Sequence, residues 1–99
     1  MLKEIETKEE IQSGKVIIDF YSKTCATCKR MLKLLEQVVN NDKSIDIIKI
    51  DTGSILGNEL ATNMNVSRLP NIKVLDNGIE KANFVGICNV NQIIEAYKN

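Results

Sequence analysis

The sequence predicts a single α/β domain spanning residues 1–99, with a central mixed sheet and helices on both faces. Two runs rich in β-branched residues, 15–21 and 45–50, are typical of strands that are buried on both faces. Strands of this kind alternate with segments of helical periodicity, which indicates a parallel sheet. The turn sequence Asp76-Asn77-Gly78 adds an antiparallel hairpin near the end of the chain. The predicted order of elements is βαβαβαββα.

The first half of the chain begins with a small predicted strand, Leu2–Ile5, and a short helix near 7–13. A capping-box pattern at Thr7–Glu10 supports that helix. The buried strand 15–21 follows. After a short turn, a helix of about four turns ends at Asn40. Its apolar residues recur at helical spacing, and they are Met31, Leu34, Leu35, Val38 and Val39.

The second half of the chain supplies the remaining elements. Strand 45–50 leads to a short helix over 55–62, and the hairpin strands are 71–75 and 79–85. A last helix runs from its cap at Asn89 to Tyr97, with Gln92 in the capping-box position. The helix over 55–62 places three apolar residues on one face, namely Leu56, Leu60 and Met64.

Composition narrows the classes of function. The 13 basic and 13 acidic residues cancel, which disfavours nucleic acid and anionic membranes as partners. No apolar run is long enough to cross a bilayer and no signal-peptide core precedes the domain, so we expect a cytoplasmic monomer. The absence of His excludes Ser-His and Cys-His catalysis and His-ligated zinc. Three cysteines are an odd number, which disfavours a structural disulfide framework.

Cys25 and Cys28 lie between a buried strand and the start of a helix. A thiol at a helix N-terminus faces unpaired N–H groups and the positive end of the helix dipole, which stabilise its thiolate. Only a thiolate attacks a disulfide, so Cys25 is the candidate nucleophile and Cys28, one turn on, the candidate resolving thiol. Lys29 and Arg30 add positive charge nearby. A CxxC motif in a βαβ setting therefore predicts redox chemistry.

Two other interpretations of these cysteines remain open. A structural zinc site needs four ligands, and this chain offers only Cys25, Cys28 and the distant Cys88 with no His. Two inert core cysteines are disfavoured because the start of a helix exposes at least one of them.

Three further residues have both an ordinary and a functional interpretation. Asp19 interrupts an apolar strand, where a carboxylate is costly unless it is paired or protonated; otherwise it reaches solvent at the strand end. Pro70 either opens a strand or follows a cis peptide bond. Cys88 precedes the capping Asn89 and packs on Ile93 as a hydrophobic staple, unless it is a regulatory or dimerising thiol.

Several separated motifs, taken in order, resemble the thioredoxin family along nearly the whole chain. They are the strand 16–21 with Cys25-Ala26-Thr27-Cys28-Lys29, the segment 65–72 leading into Pro70, the turn 76–78, and Val85-Gly86-Ile87. The resemblance implies a thioredoxin-like fold and a protein thiol–disulfide oxidoreductase. It also implies that the dithiol needs no bound cofactor, that thioredoxin reductase supplies electrons, and that client proteins bring the disulfides.

The same resemblance implies roles for particular residues. Asp19 would be the buried acid–base that handles the proton of Cys28, and Lys49 would match a family lysine near it; the alternative for Lys49 is an ordinary solvated lysine. The Leu69–Pro70 bond would be cis. The residues implied to contact a substrate chain are Ala26, Thr27, Leu69, Pro70 and Gly86.

The chain departs from the family pattern around the cysteines. Thr24 replaces a tryptophan, Ala26-Thr27 replaces Gly-Pro, Lys33 replaces a helix-kinking proline and Asn71 replaces a threonine. These changes bear on the reduction potential and the choice of partner. Two rival hypotheses therefore remain: a glutaredoxin-like enzyme that uses glutathione, and a redox-inactive interaction module with the same fold.

Overall fold

The computed structural model describes all 99 residues, and its order of elements is the predicted one. The strands are β1 (Leu2–Glu4), β2 (Lys15–Tyr21), β3 (Ile47–Asp51), β4 (Asn71–Asp76) and β5 (Ile79–Val85). A 3₁₀ helix (Lys8–Ile11) precedes the helices α1 (Ala26–Asn41), α2 (Ile55–Asn63) and α3 (Val90–Lys98). No helix combines the length and the apolar character needed to cross a bilayer.

The five strands form one mixed sheet in the order β1-β3-β2-β4-β5. β1, β3 and β2 are parallel, whereas β4 runs antiparallel to β2 and β5 antiparallel to β4. β2 is therefore a central strand, and its last residues lie beside the start of β4, where Phe20 is opposite Asn71. This arrangement brings the segment after β2 and the segment before β4 to the same end of the central strands.

Each face of the sheet carries its own hydrophobic core. The face covered by α2 and the 3₁₀ helix is packed by Ile5, Ile11, Val16, Ile18, Phe20, Ile48, Ile50, Leu60, Ala61 and Leu75. The face covered by α1 and α3 is packed by Ile17, Met31, Leu35, Val38, Ile45, Ile47, Ile72, Val74, Ile93 and Tyr97. Adjacent β2 residues such as Ile17 and Ile18 belong to opposite cores. This alternation explains why the β2 sequence is almost continuously apolar.

The helix predicted near 7–13 is instead a single 3₁₀ turn. The Glu10 carboxylate accepts hydrogen bonds from the backbone N–H groups of Glu6 and Thr7, each 3.0 Å long, and closes the turn. Only Ile11 in this segment is buried, so a longer helix would gain little packing. β3 begins two residues later than predicted. The hairpin turn is as predicted: Asn77 and Gly78 both have positive φ, 52° and 82°.

Gly57 in α2 packs directly against the end of β3. A Cβ at this position would lie 1.8 Å from the carbonyl oxygen of Asp51 and 2.8 Å from Ser54 Oγ. Gly to Ala in a helix ordinarily stabilises by about 1 kcal/mol. At Gly57 the clash makes the same substitution destabilising, because backbone atoms must move apart to make room for the Cβ.

We expect Gly57→Ala to lower the free energy of unfolding by about 3 kcal/mol. Urea unfolding followed by far-UV circular dichroism measures the change. Asn58→Ala, at the next and exposed position of α2, is the control and should be neutral or slightly stabilising. A Gly57→Ala protein as stable as the parent would contradict the close packing of α2 on β3.

Candidate active site

Cys25 is the residue that caps the N-terminus of α1, as the sequence predicts. The chain leaves β2 at Tyr21 and turns through Ser22, whose carbonyl oxygen accepts the N–H of Cys25 at 3.3 Å. Cys25 Sγ accepts the backbone N–H of Cys28 at 3.2 Å, and the Thr27 hydroxyl lies 3.2 Å from the same sulfur. Backbone and hydroxyl donors therefore point at the atom that carries negative charge in the thiolate.

The two cysteines are joined by a disulfide bond, with their Cα atoms 5.2 Å apart. Cys25 is half-buried, whereas Cys28 is only 2% exposed and begins the stripe of α1 that faces the sheet. Another protein chain can therefore reach the sulfur of Cys25 more readily than that of Cys28. The inert-core interpretation of the pair is wrong, because the two sulfurs are bonded and one is accessible.

The start of α1 is electropositive. Its first turn contains no acidic residue, and the exposed Lys29 and Arg30 take part in none of the ion pairs of the structure. Cations near a helix N-terminus are unfavourable to the helix dipole. At this place they add to the positive field around Cys25 and favour its charged form.

The structure brings Pro70, Leu69 and Gly86 together beside the end of β2. The Leu69–Pro70 peptide bond is cis, as expected. Gly86 donates its N–H to the Pro70 carbonyl oxygen at 2.8 Å and has a φ of 82°, a conformation that favours glycine. Pro70 is buried and Leu69 half-buried, whereas Ala26 at the start of α1 is exposed.

Asp19 lies inside the sheet and does not reach solvent, so the solvent-exposed alternative is wrong. Its relative exposure is 0%, and neither carboxylate oxygen has a hydrogen-bond partner. Burial raises the pKa of Asp19 from 3.8 to about 7; the positive charge of Lys49 opposes this rise and the negative charge of Glu4 adds to it. The group can therefore gain or lose a proton near neutral pH.

Lys49 lies directly opposite Asp19 in the parallel register of β2 and β3. Its ammonium nevertheless contacts other groups: Nζ is 4.0 Å from Glu4 Oε1 and 5.4 Å from the centre of the Tyr21 ring. The ordinary solvated interpretation does not describe a half-buried lysine with these contacts. Glu4 and Tyr21 are neighbours that the sequence interpretation missed. Only the strand register, which the sequence does not show, reveals them.

Cys88 is half-buried and packs against the core that contains Ile93, which agrees with the predicted packing role. Burial raises the pKa of the Cys88 thiol, and the charge of Asp19 raises it further. Asn89 caps α3 by accepting the N–H of Asn91 at 2.8 Å. The predicted capping box does not form: the exposed Gln92 side chain accepts no bond from the Asn89 N–H, and the Gln92 backbone N–H binds the Asn89 carbonyl oxygen at 3.1 Å.

The remaining departures from the family pattern have simple structural outcomes. α1 is continuous through Lys33, and Asn71 ties β4 to β5 by donating to Asn83 Oδ1 at 2.8 Å and to the Phe84 carbonyl oxygen at 3.1 Å. No three Cys, Asp or Glu side chains are grouped so that they could hold a metal ion.

A half-buried cysteine at a helix N-cap, bonded to a shielded cysteine one turn later, defines a thiol–disulfide redox centre. The Thioredoxin family model matches residues 1–99. The chain therefore belongs to the thioredoxin family, whose members are protein-disulfide oxidoreductases.

Individual relatives agree with this assignment. Thioredoxin of Mycoplasma genitalium is 27% identical over 100 residues, which cover 99% of this chain and 96% of the relative. Thioredoxin-1 of Saccharomyces cerevisiae is 28% identical over 91 residues, covering 87% and 86%. The solution structure of oxidised thioredoxin from Plasmodium falciparum superposes with a TM-score of 0.83 at 25% identity and covers all of both chains.

Proposed function

We propose that this protein reduces disulfide bonds in client proteins through the Cys25–Cys28 dithiol. The observation that carries the proposal is the unequal exposure of the pair. Cys25 is accessible and faces hydrogen-bond donors at the start of α1, whereas Cys28 is shielded beneath it. An accessible nucleophile with an internal resolving thiol is suited to two successive exchange reactions.

The reaction proceeds in two steps that conserve electrons and protons. The Cys25 thiolate attacks one sulfur of the client disulfide, forms a mixed disulfide and releases the other client sulfur, which takes up a proton. Asp19 accepts the proton of Cys28, and the Cys28 thiolate then attacks Cys25 Sγ. The Cys25–Cys28 disulfide forms, and the second client sulfur leaves and is protonated. The client has gained two electrons and two protons.

The residues around the dithiol form the proposed binding site for the client, and the catalytic cycle needs a source of electrons. We propose that an extended client segment lies along Leu69, Pro70 and Gly86, and contacts Ala26 and Thr27 at the start of α1. The cysteines carry the electrons without a bound cofactor. A thioredoxin reductase regenerates the dithiol, and the protein acts as a cytoplasmic monomer in cell redox homeostasis.

Reduction of a protein disulfide with dithiothreitol as electron donor tests the proposal. The parent and Cys88→Ser should accelerate the reaction equally, and Cys25→Ser should not accelerate it. The same proteins equilibrated in dithiol/disulfide buffers give the reduction potential, and a value near about −270 mV supports a protein-disulfide reductase. A potential above about −230 mV with glutathione-dependent turnover favours the glutaredoxin-like alternative. Failure to turn over, with partner binding that survives both Cys25→Ser and Cys28→Ser, favours the interaction module.

A further inference from the structure

Three ionisable residues lie in one row across the parallel part of the sheet. Glu4 of β1 is opposite Lys49 of β3, and Lys49 is in turn opposite Asp19 of β2. Residues that pair in this way project from the same face of a sheet. The Lys49 side chain therefore stands between two carboxylates, one near the sheet edge and one buried at its centre.

Lys49 contacts the edge carboxylate and not the central one. Its Nζ lies 4.0 Å from Glu4 Oε1 and sits over the Tyr21 ring, 5.4 Å from the ring centre. Both Asp19 oxygens lack any hydrogen-bond partner. The positive charge of Lys49 acts on Asp19 only across space.

Glu4 is itself held in place by groups on the two neighbouring strands. Its Oε1 accepts the hydroxyl of Tyr21 from β2. Its Oε2 accepts the backbone N–H of Asp51 from β3 at 3.2 Å. The carboxylate that competes with Asp19 for Lys49 is therefore anchored at two points.

We propose that Glu4 is a positioning residue for proton transfer from Cys28: it retains the Lys49 ammonium at the edge of the sheet and keeps it from pairing with Asp19. This inference rests on the proposed role of Asp19 as the base. A buried carboxylate paired with a lysine stays ionised and is a weak base. When the same carboxylate is unpaired, burial determines its affinity for a proton. It then exchanges a proton near neutral pH, where a general base is most effective.

The other ionisable groups to consider around Asp19 lie on this face of the sheet, in α1 and before α3. On the sheet, Tyr21 and Asp51 follow in the next row of the same face, and the β4 partner of Asp19 is the apolar Ile72. The groups whose charges interact with Asp19 are Glu4, Lys49 and Tyr21 on the sheet and Cys88 before α3. Cys28 is a buried residue of α1, the helix that covers this face. Lys49 is the only cation among them, so its position decides whether Asp19 is paired.

Glu4→Gln tests the proposal, because it removes the charge at nearly the same size and keeps one of the two acceptor oxygens. Titration of the Asp19 carboxyl carbon by ¹³C NMR in the reduced protein gives its pKa directly. We expect the pKa of Asp19 to fall by about one unit from the parent value of about 7. The limb of the pH–rate profile that reports Asp19 should move to lower pH by the same amount.

Glu6→Gln is the matched control, because it removes the same charge from an exposed side chain that pairs with Lys3. The pKa of Asp19 should not change in this variant. In a Lys49→Met background, Glu4→Gln should shift the pKa of Asp19 much less, because no ammonium is then available to move toward Asp19.

Two results would overturn the proposal: an Asp19 titration that Glu4→Gln leaves unchanged, or a shift of equal size with and without Lys49. The NMR titration does not depend on turnover, so it separates this inference from the proposed function. If the titration moves and the pH–rate profile does not, the Glu4–Lys49 contact is supported and the assignment of Asp19 as the base is wrong.

Discussion

Asp19→Asn is expected to raise the free energy of unfolding at pH 8 by about 4 kcal/mol. The pKa of Asp19 is about 7 in the folded protein and about 3.8 when the group is not perturbed. Each pKa unit corresponds to about 1.4 kcal/mol, so a difference of about three units gives this value. The cause is burial, because the sheet offers the ionised carboxylate no hydrogen-bond partner.

The sign of the pH dependence follows from where the proton binds more tightly. Below about pH 4 the carboxyl is protonated in both the folded and the unfolded chain, and it imposes no cost on folding. Between about pH 4 and 7 the unfolded chain ionises first, so the stability of the parent protein falls as pH rises. Above about pH 7 both states are ionised, and the folded state bears the full cost of a buried charge.

Urea unfolding of the oxidised parent and Asp19→Asn at pH 4, 6 and 8 measures this effect. The two proteins should be similarly stable at pH 4 and diverge as pH rises. Asp42→Asn is the contrasting control. Hydrogen bonds from Lys98 and Ser44 hold the pKa of Asp42 well below its usual range. Removal of the Asp42 charge should therefore destabilise the protein at neutral pH. A constant difference between parent and Asp19→Asn across these pH values would contradict a raised pKa.

The sequence predicts most of the elements because their signals are local. β2 has apolar side chains for both cores, and Asn77-Gly78 adopts the positive φ values that a tight hairpin turn requires. The helix predicted near 7–13 is only one 3₁₀ turn long: its capping pattern is real, with Glu10 closing the turn, but only Ile11 finds a core to pack on. Capping describes how a turn begins, and packing determines whether it continues.

The site could be predicted only in part, for a physical reason. The position of Cys25 at a strand–helix junction follows from the local pattern alone. The cis bond before Pro70 required the family resemblance, because a proline that opens a strand has the same local sequence. The row of Glu4, Lys49 and Asp19 could not be predicted, because it depends on the register of three parallel strands. A slip of one residue would place Glu4 on the opposite face.

Cys28→Ser is expected to trap the protein on its client. Cys25 keeps its place at the N-cap of α1 and still attacks the client disulfide. The serine hydroxyl that replaces the resolving thiol does not attack the mixed disulfide, so turnover should fall at least about 100-fold. Cys88 does not take over, because burial and the nearby Asp19 raise the pKa of its thiol and limit its reactivity.

Mass spectrometry of Cys28→Ser mixed with an oxidised client protein measures the trapped species directly. We expect a covalent one-to-one complex that dithiothreitol dissociates. The complex should also form with Cys28→Ser combined with Cys88→Ser, and should be absent with Cys25→Ser. A complex that forms through Cys88 would contradict the assignment of Cys25 as the attacking residue. Full turnover by Cys28→Ser in the presence of dithiothreitol would show that the external dithiol, and not the shielded cysteine beneath Cys25, resolves the mixed disulfide.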